Sequence, residues 1–130
     1  MTIFLIDDDQ DDQEIFSYVM EEMYTKVDCV FANDGICALE KIRQESDFIP
    51  QLIVIDVNMP RMNGIQCLAE IKKIKNIQAV PAFMYSTSAE PEMVDQCKSL
   101  GAAGFIKKHA NTADIKNEFS KIIAGLNLSA

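Results

Sequence analysis

The chain has 130 residues, of which 48% are hydrophobic and 25% charged, and it carries a formal net charge of −8. This length is enough to bury one hydrophobic core, so we expect residues 1–130 to form a single domain with no output domain. The acidic balance argues against nucleic-acid binding, which needs clustered Lys and Arg. No apolar run reaches the roughly 18–20 residues of a membrane span and no signal peptide is recognisable, so we expect a cytoplasmic protein.

Short apolar segments rich in β-branched or aromatic residues alternate with segments of helical periodicity. The predicted strands are "TIFLI" (2–6), "VDCVFA" (27–32), "LIVI" (52–55), "PAFMYS" (81–86) and "GFI" (104–106). The apolar stripes of the helices are Ile15, Phe16, Val19, Met20 and Met23; Ile36, Leu39 and Ile42; Ile65, Leu68 and Ile71; Met93, Val94, Cys97 and Leu100; and Ile115, Phe119, Ile122, Ile123 and Leu126. Strand–helix alternation repeated five times predicts a parallel sheet covered by helices on both faces.

Two of these helices carry end signals. Gly101 is typical of a residue that ends the fourth helix, and Asn111 or Thr112 is typical of the cap that opens the fifth. The four cysteines of the chain are far apart and form no CxxC pair, so they are predicted to be buried free thiols rather than disulfides or zinc ligands. They are Cys29, Cys37, Cys67 and Cys97.

Polar side chains stand at the end of four of the five predicted strands. Asp7 and Asp8 follow the first strand, Asp56 follows the third, Ser86 closes the fourth, and Lys108 comes after the fifth. In an open parallel sheet the carboxyl ends of the strands face the ligand. We therefore expect these side chains to meet at one edge of the sheet.

Three carboxylates at one edge would repel one another. Two unit charges about 5 Å apart cost roughly 3 kcal/mol at an effective dielectric constant near 20. A Mg²⁺ ion together with the ammonium of Lys108 would balance Asp7, Asp8 and Asp56, and Mg²⁺ prefers hard oxygen ligands. This pattern therefore predicts a cation site.

The acidic residues after Asp8 are not assigned to this cation site. Asp9, Asp11 and Asp12 are predicted to form an acidic first helical turn, where the helix dipole stabilises negative charge. That explanation does not extend to Asp56, because no helix begins directly after the "LIVI" strand.

Four motifs in this order resemble the receiver domain of two-component response regulators. They are the acidic pair in "LIDDD", the loop "DVNMPRMNG", the hydroxyl in "MYSTSA" and the segment "GAAGFIKK". The resemblance covers nearly the whole chain. It implies an α/β fold, a flavodoxin-like, three-layer, doubly wound (βα)5 parallel sheet with strand order 2-1-3-4-5.

The resemblance also implies the site residues. Asp56 matches the phosphorylated aspartate, and Asp7 and Asp8 match the pair that holds Mg²⁺ (or Mn²⁺) together with Asp56 and the backbone carbonyl of Asn58. The triple "DDD" allows two registers for this pair, and the end of the apolar run at Ile6 favours Asp7 and Asp8.

Four further residues are implied to contact or respond to the phosphoryl group. Ser86 matches the hydroxyl that hydrogen-bonds it, Thr87 stands where it would narrow the access of hydrolytic water, and Lys108 matches the lysine that pairs with it. Phe105 matches the aromatic residue that turns inward on activation. The surface expected to change lies on the fourth helix, fifth strand and fifth helix, and it includes Met93, Val94, Phe105 and Ile106.

One departure concerns the residue after the lysine. Receivers usually have Pro there, often after a cis peptide bond, whereas this chain has His109. A cis bond before a non-proline residue costs about 2.5–4 kcal/mol, so we predict a trans bond with a locally altered loop. His109, the one histidine, is interpreted as a loop residue rather than a metal ligand.

The implied function is a phosphorylation-dependent switch. Asp56 would accept a phosphoryl group from a histidine kinase or a histidine phosphotransfer protein in a Mg²⁺-dependent reaction, and the altered surface would bind a downstream protein whose identity the sequence does not give. The chain would not be an enzyme beyond catalysing its own phosphorylation and dephosphorylation. The sequence leaves open whether it is a monomer or a weak dimer.

Two alternatives remain. Phosphatases of the haloacid dehalogenase type also use an Asp after a strand, but they resemble "D-x-D", and this chain has Asn58 at the second position and no cap domain. A receiver-like scaffold that is never phosphorylated would be expected to lack one of the acids or Lys108, and none is missing. Nucleotide-binding folds are set aside because the chain has neither G-x-x-x-x-G-K-[ST] nor G-x-G-x-x-G.

Overall fold

A computed structural model describes residues 1–109 and 111–126 as five strands and five helices that alternate along the chain. The strands are β1 (Thr2–Ile6), β2 (Asp28–Ala32), β3 (Leu52–Asp56), β4 (Ala82–Ser86) and β5 (Gly104–Lys107). The helices are α1 (Gln10–Met23), α2 (Gly35–Gln44), α3 (Gly64–Ile71), α4 (Pro91–Ser99) and α5 (Thr112–Gly125). Each predicted strand therefore lies within one residue of its observed bounds.

The strands form one parallel sheet in the order β2-β1-β3-β4-β5. This is the doubly wound order that the family resemblance implied, and the prediction is confirmed. Strand β3 lies in the centre, and all five of its residues are buried. A strand covered on both faces needs apolar side chains at nearly every position, which is why "LIVI" has no alternation.

Each face of the sheet is covered by its own apolar cluster. On β1, Phe4 and Ile6 belong to the α2–α4 cluster, formed with α2, α3 and α4, whereas Ile3 and Leu5 belong to the α1/α5 cluster on the other face. This division follows from the alternation of side chains along a strand. Phe119 of α5 lies within the α1/α5 cluster.

The rings of the α1/α5 cluster pack edge to face. The ring of Phe119 lies 5.1 Å from that of Phe16 and 6.0 Å from that of Tyr85, measured between centroids. Edge-to-face contacts of this kind add to the free energy gained by burying the rings. Helix α5 is thereby joined to both α1 and β4.

Several sequence predictions of burial are wrong. Ile15 and Ile36 belong to the predicted apolar stripes, but they are 41% and 36% exposed, because each lies at the margin of its stripe. All four cysteines are free thiols, but only Cys67 and Cys97 are buried, whereas Cys29 is half-buried and Cys37 is exposed. Ile106 was assigned to a protein-binding surface, yet it lies in the α1/α5 cluster, because alternation along β5 places it opposite Phe105.

The helix ends follow the predicted signals. Asn111 caps α5, and its side-chain oxygen accepts a hydrogen bond from the backbone N–H of Ala113 at 2.7 Å. Gly101 follows α4 with a φ of 101°, a conformation that glycine adopts without steric cost. Among the described residues, no helix combines the length and the apolar character required to cross a membrane.

Candidate functional site

Three carboxylates meet at the carboxyl edge of the sheet. Asp7 follows β1 directly, Asp8 is its neighbour, and Asp56 is the last residue of β3. Each offers one oxygen atom within 4.8 Å of those of the other two. Asp7 and Asp56 are 0% and 4% exposed, whereas Asp8 is exposed. The predicted strand-end acids are therefore brought together.

Asp9 has a different role. Its carboxylate caps α1 by accepting hydrogen bonds from the backbone N–H groups of Asp11 and Asp12, at 2.9 and 3.2 Å. A side chain that satisfies the first turn of a helix is held by that contact. The grouping of Asp7 with Asp8 rather than Asp8 with Asp9 agrees with the register favoured by the end of the apolar run.

The loop after Asp56 is held close to β3. The backbone N–H of Gly64 donates to the carbonyl of Val57 at 2.9 Å, and the N–H of Asn58 donates to Asp56 Oδ1 at 3.2 Å. A Cβ atom on Gly64 would lie 2.1 Å from the carbonyl oxygen of Asp56. Only glycine permits this approach, so Gly64 fixes the start of α3 against the end of β3.

The ammonium of Lys108 lies among the carboxylates. Its Nζ atom is 2.7 Å from Asp12 Oδ2, 3.1 Å from Asp7 Oδ2 and 3.5 Å from Asp56 Oδ1. The backbone N–H of Lys108 donates to the carbonyl of Ser86 at 2.7 Å, which extends the pairing of β5 with β4. This lysine therefore bridges the first, third and fifth strands of the chain.

Asp12 is the site residue that sequence reasoning missed. The sequence predicts Asp12 only as part of an acidic helix start, and it does lie in the first turn of α1. Its carboxylate also contacts Lys108 across the edge of the sheet. The available signal was position: Asp12 precedes the buried Phe16 by four residues. Residues four apart share a helix face, so Asp12 lies on the inward face.

Burial and crowding shift the pKa values of the site. Burial, reinforced by the negative charge of Asp7, raises the pKa of Asp56 to about 7. Burial also raises the pKa of Asp7. Burial alone would lower the pKa of Lys108, but the hydrogen bond to Asp12 and the charges of Asp7 and Asp56 outweigh it and raise the pKa. The site as a whole therefore favours added positive charge.

The residues fit a hard divalent cation. The Oδ2 atom of Asp7 is buried, and the one cation near it is the Lys108 ammonium at 3.1 Å, which also faces Asp12 and Asp56. One ammonium cannot balance several crowded carboxylates, so a further cation would lower the cost of burying them. Two or three carboxylate oxygens are the ligand type that Mg²⁺ and Mn²⁺ take.

A cavity of about 590 Å³ opens above these groups. The residues that line it are Asp8, Asp9, Gln10, Asp12, Asp56, Asn58, Thr87 and Lys108. Ser86 and Phe105 do not line it: Ser86 is fully buried, and its Oγ accepts a hydrogen bond from the N–H of Ser88 at 3.3 Å. Phe105 is half-buried against the α2–α4 cluster.

His109 is the described residue that directly follows Lys108. The peptide bond between Lys108 and His109 is trans, as predicted. His109 Nε2 lies 3.6 Å from Glu118 Oε1 on α5, and His109 is not among the residues that line the cavity. This placement agrees with the interpretation of His109 as a loop residue.

The chain is similar to known proteins in both sequence and fold. The family profile of the response regulator receiver domain matches residues 3–120. The chemotaxis protein CheY-3 of Vibrio cholerae is 32% identical over 95 residues, which make up 73% of this chain and 71% of that protein.

Two solved structures of response regulators have a similar fold. The phosphorylated cyanobacterial phytochrome response regulator RcpA has a TM-score of 0.87 and 26% identity, covering 99% of this chain and 95% of its own. The Mn²⁺-bound form of response regulator Rcp1 has a TM-score of 0.84 and 24% identity, covering 99% and 96%.

Proposed function

Because the chain belongs to the response regulator receiver family, we propose that Asp56 accepts a phosphoryl group from a histidine kinase or a histidine phosphotransfer protein. The observation that carries this proposal is a buried carboxylate that opens to a cavity of about 590 Å³ and has an ammonium group 3.5 Å away. Phosphoryl transfer depends mainly on positioning and charge neutralisation, and these groups supply both.

We propose that Asp7, Asp8 and Asp56 hold a Mg²⁺ or Mn²⁺ ion, with the backbone carbonyl of Asn58 as a further ligand. Such an ion supplies positive charge against the carboxylates and the phosphoryl oxygens. Support comes from the mutual distances of the carboxylate oxygens, all within 4.8 Å. The Mn²⁺-bound crystal form of the similar regulator Rcp1 points the same way.

In the transfer itself, a carboxylate oxygen of Asp56 attacks the phosphorus atom. The bond from phosphorus to the donor histidine nitrogen breaks, and its electron pair leaves on the imidazole. An acyl phosphate forms on Asp56, and the donor histidine is released. Lys108 compensates the added charge, because its Nζ already lies 3.5 Å from the attacking carboxylate.

Phosphorylation would then alter the protein-binding surface. We propose that Ser86 turns its hydroxyl toward the phosphoryl oxygens, that Thr87 restricts the access of water, and that Phe105 rotates into the space that Ser86 vacates. Ser86 precedes the exposed Thr87, which lines the cavity. The surface of α4, β5 and α5, with Met93, Val94 and Phe105 but without the buried Ile106, would be read by a downstream protein.

We propose further that the receiver acts without an attached output domain, as a monomer or a weak dimer. The match to CheY-3 covers 71% of that protein, and the match to Rcp1 of Synechocystis sp. covers 80%, which supports a small signalling protein. Neither comparison supports the phosphatase alternative.

The direct test is incubation with acetyl phosphate and MgCl₂, followed by intact mass measurement and peptide mapping. We expect one alkali-labile phosphoryl group on Asp56 in the wild type and none in Asp56→Asn. Asp47→Asn is a matched control, because Asp47 is an exposed turn residue outside the cavity. Labelling of Asp56→Asn at the wild-type level, or no labelling of the wild type, would reject the proposal.

A further inference from the structure

We propose that Asp12 is a positioning residue that holds the Lys108 ammonium in the unphosphorylated protein and competes for it with a phosphoryl group on Asp56. This inference rests on the proposed function of Asp56 and adds a residue to it. Asp12 would set how readily the phosphorylated state forms, without touching the phosphorus atom.

The first argument is the direction of the Lys108 side chain. Among the three carboxylates around Nζ, Asp12 is the nearest at 2.7 Å, and the contact has the geometry of a hydrogen bond. Asp56 is the farthest at 3.5 Å. In the state described, the ammonium is therefore directed at Asp12 and not at the proposed phosphorylation site.

The second argument concerns which partner can release Lys108. The side chain of Asp12 is 31% exposed, whereas those of Asp7 and Asp56 are 0% and 6% exposed. A carboxylate that keeps contact with water is resolvated when its cation leaves, but a buried carboxylate is left uncompensated. Asp12 is thus the exchangeable partner, and Asp7 the permanent one.

The third argument is that the exchange needs no backbone movement. The backbone of Lys108 is fixed by its hydrogen bond to Ser86, and Nζ lies 5.2 Å from the centre of the Tyr85 ring. Asp12 is fixed by α1, whose first turn is capped by Asp9. A rotation of the lysine side chain would carry the ammonium from Asp12 toward Asp56.

A phosphoryl group brings more negative charge and more acceptor oxygens than the Asp12 carboxylate, so it wins this competition, but the bond to Asp12 must first be broken. The Asp12 charge therefore weakens binding of any phosphoryl group at Asp56. Removing that charge should strengthen such binding about tenfold, the factor expected for one charge-assisted hydrogen bond.

The test uses beryllium fluoride as a phosphoryl mimic, titrated at saturating MgCl₂ into the wild type, Asp12→Asn and Asp11→Asn. Asp11 is the matched control, because it is the exposed neighbour on the same helical turn and its loss removes the same charge without a contact to Lys108. We expect the mimic to bind Asp12→Asn about tenfold more tightly than the wild type and Asp11→Asn within about twofold of it. Asp12→Glu should remain near the wild type, and Asp12→Ser serves if Asp12→Asn folds poorly.

A second readout separates competition from a structural role. The carboxyl carbon resonance of Asp12 should move toward that of the exposed Asp11 when the mimic binds to the wild type. Equal affinities of Asp12→Asn and Asp11→Asn, or an unmoved Asp12 resonance, would overturn the inference alone. If the mimic does not bind the wild type, or binds Asp56→Asn as tightly as the wild type, the proposed function fails and the inference falls with it.

Discussion

The α1/α5 cluster and the carboxyl edge of the sheet both contain fully buried side chains, but these side chains differ in kind. Phe119 in the α1/α5 cluster and Asp7 at the edge are both 0% exposed. The ring of Phe119 is surrounded by apolar side chains, whereas the Asp7 carboxylate lies within 4.8 Å of two others and has one ammonium nearby. Burial stabilises the first group and opposes the charge of the second.

This difference indicates where the chain gains stability and where it gives some up. Burial of the two apolar clusters supplies favourable free energy of folding. Burial of the charged groups at the edge opposes folding. Buried carboxylates with raised pKa values are typical of a site that binds a ligand or carries out a reaction. Mutations in the two regions should therefore change stability in opposite directions.

The largest effect on stability is expected in the α1/α5 cluster. Phe119→Ala removes a fully buried ring that contacts Phe16 and Tyr85, so we expect a loss of about 3–5 kcal/mol in the free energy of unfolding. Urea denaturation followed by circular dichroism measures it. Ile49→Ala is the control, because Ile49 is 51% exposed and its loss should cost under about 0.5 kcal/mol. A loss below about 1 kcal/mol for Phe119→Ala would mean that α5 contributes little to the core.

A substitution at the carboxyl edge is expected to raise the free energy of unfolding rather than lower it. Asp56→Asn removes a buried charge that lies beside Asp7, so without divalent cations at neutral pH we expect the free energy of unfolding to rise by about 1–2 kcal/mol, allowing for screening by solvent. The same denaturation experiment in EDTA measures it, and Asp47→Asn is the control for a change of net charge.

Magnesium should change the difference in stability between the wild type and Asp56→Asn. Added MgCl₂ should stabilise the wild type more than Asp56→Asn, because a cation that binds only the folded state shifts the unfolding equilibrium. If Asp56→Asn is less stable than the wild type in EDTA, then Lys108 already compensates the Asp56 carboxylate, and the edge carries no excess of negative charge.

The apolar centre was predictable from sequence almost completely. Runs such as "LIVI" specify a buried strand by composition alone, and the acids at strand ends follow from the rule that carboxyl ends share an edge. The predicted grouping of Asp7, Asp8 and Asp56 therefore needed no tertiary contact. It needed only that the strands be parallel.

What was missed depends on how elements are rotated against one another. Asp12 and Lys108 are separated by 96 residues, and their contact exists only because α1 turns its third residue toward the end of β5. The burial of Ile106 and the exposure of Cys37 depend on rotation in the same way. Periodicity gives the spacing of a face, but the neighbouring elements decide which way that face points.

A smaller stabilising effect is expected from a polar contact beside the edge. Arg61 has a φ of 65°, which is unfavourable for a residue other than glycine, and its guanidinium pairs with the buried carboxylate of Asp34, the cap of α2. Asp34→Asn keeps a capping side chain but loses the ion pair. We expect a double-mutant cycle with Arg61→Ala to give a coupling of about 0.5–1 kcal/mol, since Arg61 is largely exposed.

The pH dependence of this coupling has a definite sign. The hydrogen bond from the N–H of Cys37, together with the charge of Arg61, lowers the pKa of Asp34 below its ordinary value of 3.8. A lowered pKa in the folded state contributes stability that is present above the ordinary value and is lost as the pH falls through the folded value. The coupling should thus be full at neutral pH and vanish in strong acid. A coupling that persists in acid would mean that Arg61 is held by packing rather than by charge.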